Sequence, residues 1–182
     1  MRMAAVLAVA CFALHTLADA KSGEEKAQLC LLCHKEATNK RFVPLLEGQP
    51  ADYLVASLMA FKTRQRTSPD MDTNVASLSR ADMRDISNYF ASKSLPPRSQ
   101  TLEPGKIAAG EKLVGEMKCA SCHTPSFHGA GATPRLAGQK HAYLVWQLDA
   151  FRDGRRSHPL AMTNLKDAAD VDNVASYLSS LR

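Results

Sequence analysis

The apolar positions of this chain fall into a helical spacing twice over, and no stretch shows the two-residue alternation of a half-buried strand. Tyr53, Leu54, Ser57, Leu58 and Phe61 lie at i, i+1, i+4, i+5 and i+8, and Tyr143, Leu144, Gln147, Leu148 and Phe151 repeat that stripe. The spacing predicts an amphipathic helix in each half. A later helix is predicted in each half by a capping pattern, Ser79-Arg80-Ala81-Asp82 in one and Asp167-Ala168-Ala169-Asp170 in the other. Their apolar faces hold Met83, Ile86, Tyr89 and Phe90, and Val171, Val174, Tyr177 and Leu178. Two further helices are predicted over 24–29 and 107–117, so the chain reads as all-α.

The stripes belong to a longer internal repeat. Pro44-Leu45-Leu46-Glu47-Gly48-Gln49 is matched ninety residues on by Pro134-Arg135-Leu136-Ala137-Gly138-Gln139. Each stripe also ends in a basic cluster: Lys62, Arg64 and Arg66, then Arg152, Arg155 and Arg156. Two related domains are expected, over 21–93 and 106–182. The proline-rich polar stretch 94–105 is read as their linker. Domains this small bury little of their own surface, so a bound group must complete each core.

The first twenty residues have another pattern. Met1-Arg2-Met3 gives a positive start, Ala4 to Leu17 is almost wholly apolar, and Ala18-Asp19-Ala20 supplies a small-x-small cleavage site. The apolar run is shorter than the roughly 20 residues of a membrane span. Residues 1–20 are therefore read as a secretory signal peptide that takes Cys11 with it. The remainder keeps 22 Lys and Arg against 17 Asp and Glu, a mildly basic +5. No basic run is interleaved with aromatics, so no nucleic-acid partner is expected.

The four remaining cysteines occur as Cys30-Leu31-Leu32-Cys33-His34 and Cys119-Ala120-Ser121-Cys122-His123. Two thiols three residues apart on one helical turn can form thioethers to the two vinyl groups of a haem, and the adjacent His is then held beneath the iron. A structural zinc site or a pair of disulfides can use the same spacing. Two copies in an exported chain, each inside the same larger repeat, favour two covalently bound haem c groups, with His34 and His123 as iron ligands.

A thioether on the opposite face closes the iron to other ligands, whereas an open position admits peroxide. In the first half Met59 and Met83 fall inside predicted helices as core residues, which leaves Met71, in the loop-like segment 67–73. In the second, Met162 is the one Met beyond His123, also in a loop-like stretch. That loop is about three residues shorter than its counterpart, and His158 lies near the position the first copy indicates, so His158 stands as a rival ligand. His128 and His141 are read as surface residues.

Two CxxCH units, each followed by Pro-x-Leu-x-Gly-Gln-x3-Tyr-Leu, a Met-bearing loop and a helix ending in Tyr-Phe or Tyr-Leu, resemble the dihaem cytochrome c4 family. The resemblance covers essentially all of the chain after residue 20 and is most specific over 134–156. It implies two tandem cytochrome c-like domains about a pseudo-twofold axis, with the haems near their interface, in the periplasm. It also implies that the carbonyls of Pro44 and Pro134 support His34 and His123, and that Met71 and Met162 are the distal ligands. The short, glycine-poor loop 34–44 and the trimmed Met162 loop depart from the family pattern.

The function expected is electron carriage by outer-sphere transfer between respiratory or dehydrogenase partners, without catalytic residues. The partners implied are redox proteins, a donor and a terminal oxidase or other acceptor, with membrane association at most weak and through them. A dihaem subunit of a larger dehydrogenase, such as a flavocytochrome c, is the alternative, followed by a dihaem peroxidase.

Overall fold

In the computed structural model, residues 22–38, 40–97, 100–160, 162 and 164–182 are described; the segment read as a signal peptide lies outside them. Eight helices occur among these residues: α1 over 22–34, α2 Ala51–Lys62, α3 Pro69–Val75, α4 Arg80–Ala91, α5 Pro104–Glu116, α6 Ala120–His123, α7 His141–Arg152 and α8 Ala168–Ser180. The same residues contain no strand, only an isolated bridge between Ala130 and Thr133, and no helix long and apolar enough to cross a membrane.

Local chemistry explains the helix starts. The Ser79 hydroxyl accepts the Asp82 amide at 3.1 Å while the Asp82 carboxylate accepts the Ser79 amide at 2.9 Å, a reciprocal capping box that opens α4. Asp167 opens α8 by accepting the Ala169 and Asp170 amides at 2.8 and 3.0 Å. Proline stands in the first turn of α3 and α5, where its missing N–H costs nothing. Helix α5 therefore begins at Pro104, inside the stretch read as linker. Helix α3 is a difference from the sequence reading, because Met71 lies in this short helix rather than in a loop. Pro69 and the acidic Asp70 and Asp72 stabilise its first turn, and the Asp72 carboxylate accepts the Ser68 amide at 3.2 Å.

The first and last helices of each half cross at a glycine. A Cβ on Gly23 would lie 2.4 Å from the carbonyl oxygen of Asp85 on α4, and one on Gly110 would lie 2.0 Å from that of Asn173 on α8. Ion pairs flank both crossings: Lys26 with Asp82 and Asp85 at 2.8 and 2.6 Å, and Lys106 with Asp172 at 3.0 Å. Ala27, Leu54, Ile86 and Phe90 form the first core. The second is larger and includes Val114, Phe127, Leu144, Leu148, Leu165, Val171, Val174 and Leu178. Met83 is a fully buried residue of the first half, as its helical position predicts.

Each Gly-Gln turn is pinned to the last helix of its own half. The Gly48 amide donates to the Phe90 carbonyl at 2.9 Å and the Gly138 amide to that of Leu178 at 3.0 Å. Both glycines have positive φ, 68° and 65°, which a side chain would strain. Leu95, in the connecting segment, lies against both of them: its methyl groups would meet an added Cβ at 3.3 Å on Gly48 and 2.5 Å on Gly138.

Candidate functional site

Helix α1 ends in the first cysteine pair and His34; α6 carries the second pair's Cys122 and His123, with Cys119 as its N-terminal cap. All four thiols are unbridged, which excludes disulfides in this structure. Among the described residues there is no cluster of three or more His, Cys, Asp or Glu able to hold a metal ion, so they assemble no four-ligand zinc site.

Both histidines are buried and have the same support. His34 Nδ1 lies 2.8 Å from the Pro44 carbonyl oxygen and His123 Nδ1 lies 2.9 Å from that of Pro134. Since a carbonyl only accepts, each ring carries its proton on Nδ1 and keeps the Nε2 lone pair. Burial holds both rings in the neutral form, pushing the His34 pKa down to about 4 and lowering that of His123. Burial also raises the thiol pKa values of Cys30 and Cys119. A neutral imidazole fixed through Nδ1, next to two free thiols on one turn, is the donor set that a covalently attached haem needs.

Met71 and Met162 are both half-buried, and Met162 packs against the second core. His128 is exposed as expected, whereas His141 is half-buried and paired with Asp172 at 3.0 Å. The rings of His158 and His123 are nearly parallel, 10° apart in orientation with centroids separated by 6.4 Å. His158 Nδ1 accepts the Leu160 amide at 3.1 Å.

The two halves meet through the turns that carry the supporting prolines. The Leu45 amide donates to Gln139 Oε1 at 2.8 Å, and Gln139 Nε2 donates back to the Leu45 carbonyl at 3.0 Å. The Arg135 amide donates to Gln49 Oε1 at 2.9 Å, and Gln49 Nε2 returns a bond to the Arg135 carbonyl at 2.9 Å. Residues 45 and 135, like 49 and 139, occupy equivalent places in the repeat, so the contact is a reciprocal twofold exchange. The sequence reading placed these glutamines in a motif but gave them no role.

Three guanidinium groups line the same seam, and their hydrogen bonds go to neutral acceptors. Arg135 is 1% exposed; it donates to the carbonyls of Ala137 and Glu47, and its Nε has no partner. Burial lowers its pKa to about 10, against the opposing pull of Glu47. Arg66 donates to the Tyr143 hydroxyl at 3.0 Å and to Gln147 at 3.3 Å. Arg156 donates to Gln147 and lies over the Phe151 ring. One buried and two half-buried cations whose hydrogen bonds all go to neutral groups suit an anionic group at the seam.

The cytochrome c family pattern matches residues 107–182. Cytochrome c4 of Pseudomonas aeruginosa is 33% identical over 177 residues, covering 91% of this chain and 84% of that protein. The crystal structure of reduced cytochrome c4 from Pseudomonas stutzeri superposes with a TM-score of 0.78 at 28% identity, over 90% of this chain and 98% of that one. A thiosulfate dehydrogenase electron acceptor of Thiomonas intermedia is 31% identical over 144 residues, 72% of this chain and 66% of that protein. With whole-length similarity to cytochrome c4 joined to two equivalently supported CxxCH histidines, the chain belongs to the cytochrome c4 family: an electron-carrying cytochrome of two cytochrome c-like domains that binds two haem c groups covalently.

Proposed function

We propose that the protein is a periplasmic carrier that moves single electrons by outer-sphere transfer between a donor and an acceptor, such as a terminal oxidase. The observation that carries this reading is the equivalence of His34–Pro44 and His123–Pro134 on either side of one seam. A bound haem supplies the reversible ferric–ferrous couple. The chain's own residues attach, orient and enclose it.

In this reading Cys30, Cys33, Cys119 and Cys122 form the thioethers. His34 and His123 are the proximal ligands, held by Pro44 and Pro134, and Met71 and Met162 are the distal ones. Arg66, Arg135 and Arg156 supply positive charge for the propionate carboxylates. Residues 21–93 and 106–182 form the two domains, joined by 94–105, after export by the signal segment 1–20. Lysines beside the first CxxCH, Lys35 and Lys40, are placed to steer an acidic partner into a weak, salt-sensitive complex.

The likeness to a thiosulfate dehydrogenase electron acceptor favours a second reading, in which the same dihaem unit accepts electrons from a dehydrogenase of sulfur compounds. Co-purification with a stoichiometric dehydrogenase would select that reading. Haem quantification with optical and low-temperature EPR spectra tests the ligand set. Two low-spin haems per chain, both with the near-infrared thioether-to-iron band, are expected. A bis-His haem would replace Met162 with His158, and a high-spin one would redirect the work to peroxide chemistry.

A further inference from the structure

The reciprocal glutamine contact falls on the two peptide groups that hold the histidines. The carbonyl of Pro44 and the amide of Leu45 are the two ends of one peptide group: the carbonyl accepts the His34 Nδ1 proton, and the amide donates to Gln139 Oε1 of the other domain. The 134–135 peptide group does the same between His123 and Gln49. Leu45, Gln49, Arg135 and Gln139 are all buried, so water does not compete for these bonds.

A hydrogen bond to the N–H of a peptide polarises its C=O and makes it a stronger acceptor. A stronger acceptor at Nδ1–H increases the basicity of the ligating nitrogen, and a more basic axial ligand favours the ferric state. The glutamine side chain also fixes the carbonyl's direction, because it binds both the amide and the carbonyl of residue 45, or of residue 135 in the mirror contact. Resting on the ligand assignment above, we infer that Gln139 and Gln49 are positioning residues that act crosswise: each sets the axial histidine, and so the potential, of the haem in the opposite domain.

The first test uses the wild-type holoprotein. In the fully reduced, diamagnetic state, NMR coupling through the hydrogen bond is expected between the Leu45 amide nitrogen and the side-chain carbonyl carbon of Gln139. Its mirror is expected between Arg135 and Gln49. The second test resolves the two haems in a redox titration followed by NMR. Gln139→Leu is expected to raise the ferrous-to-ferric ratio of the first-domain haem about threefold at a fixed potential, about 30 mV at 59 mV per tenfold for one electron. The second-domain haem should move much less. Gln49→Leu should do the opposite, and Gln139→Glu, which keeps an acceptor for the Leu45 amide, should not raise the first-domain potential.

Equal shifts of both haems in each variant would mean a loosened interface and would overturn the crosswise role, as would absent couplings in the wild type. If the oxidised wild type lacks hyperfine-shifted ring protons from His34 and His123, the ligand assignment falls and the tuning role with it. The first pair of outcomes leaves that assignment standing.

Discussion

The two domains share one plan and differ in how much protein supports it. The second has the larger apolar cluster, extending from Val114 to Leu178 and drawing in Phe127 and Leu165 from its loops. The first buries a smaller set around Ala27, Leu54, Ile86 and Phe90. Its cysteine-bearing helix α1 leaves Leu29 and Leu32 exposed, at 60% and 69%. The segments that carry the proposed distal ligands differ in the opposite sense: Met71 stands in a short helix, whereas Met162 lies outside any helix. The first domain thus depends more on its haem for a core, and the second more on its own side chains.

Removing the cysteines proposed to attach the haems should sharpen that contrast most. Replacing Cys30 and Cys33 by Ser is expected to let amides of α2 and α4 exchange at nearly unfolded rates in hydrogen–deuterium exchange. The same change at Cys119 and Cys122 should leave measurable protection in α5 and α8. Equal loss in both halves would show that the larger core gives no independent stability.

The helix crossings come next. Gly110→Ala forces a Cβ to 2.0 Å from the Asn173 carbonyl oxygen, against 2.4 Å from that of Asp85 for Gly23→Ala. Overpacking of this kind costs about 1–3 kcal/mol. The Gly110 variant is expected at the upper end and the Gly23 variant lower, as measured by denaturant unfolding. The reverse order would place the tighter crossing in the first domain.

Caps should give smaller and more even effects. Asp167→Ala and Ser79→Ala are each expected to cost about 1 kcal/mol, with unfolding midpoints as the readout. A clear difference between them would show that one closing helix is held by its cap more than by its packing.

The smallest effect concerns acid. The ammonium of Lys26 and the hydroxyl and amide of Ser79 hold the Asp82 carboxyl well below the usual carboxylate range. A depressed folded pKa adds stability above the unfolded value near 4, and that stability is lost as pH falls below it toward the folded pKa. The protection of α1 and α4 amides, taken relative to their intrinsic exchange rates at each pH, should therefore fall as pH drops from about 4, and Lys26→Met should weaken the dependence. Identical acid profiles for wild type and variant would remove Lys26 from the explanation.

Much of this was legible in the chain because it is written twice. The cysteine pairs, the Gly-Gln turns, the aromatic stripes and both caps recur at nearly constant spacing, and each depends on chemistry local to a few residues. What was not legible depends on contacts between distant segments. Gln49 and Gln139 meet partners 86 and 94 residues away, so their motif shows recurrence but not the cross-domain bond. Gly23 and Gly110 are 87 residues apart, off the ninety-residue register, and their need for glycine appears only where α4 and α8 cross them. Helix α3 was missed because its seven polar-rich residues carry no apolar period, and its start rests on Pro69 and two acidic side chains. Leu95 looked like part of a polar linker but wedges between two turns.

The reciprocal seam also bears on the chain's ancestry. A surface that gives and receives the same bonds about an axis is what two identical subunits present to each other. This polypeptide has the form of a homodimer whose copies were joined end to end, with Leu95 in the join near the axis. In a true homodimer every substitution appears twice; here each appears once, and the copies can drift apart under separate selection. Phe42 and Trp146 show that drift, with rings 6.3 Å apart on one side of the axis, where the equivalent residues on the other are Ala132 and Ala56.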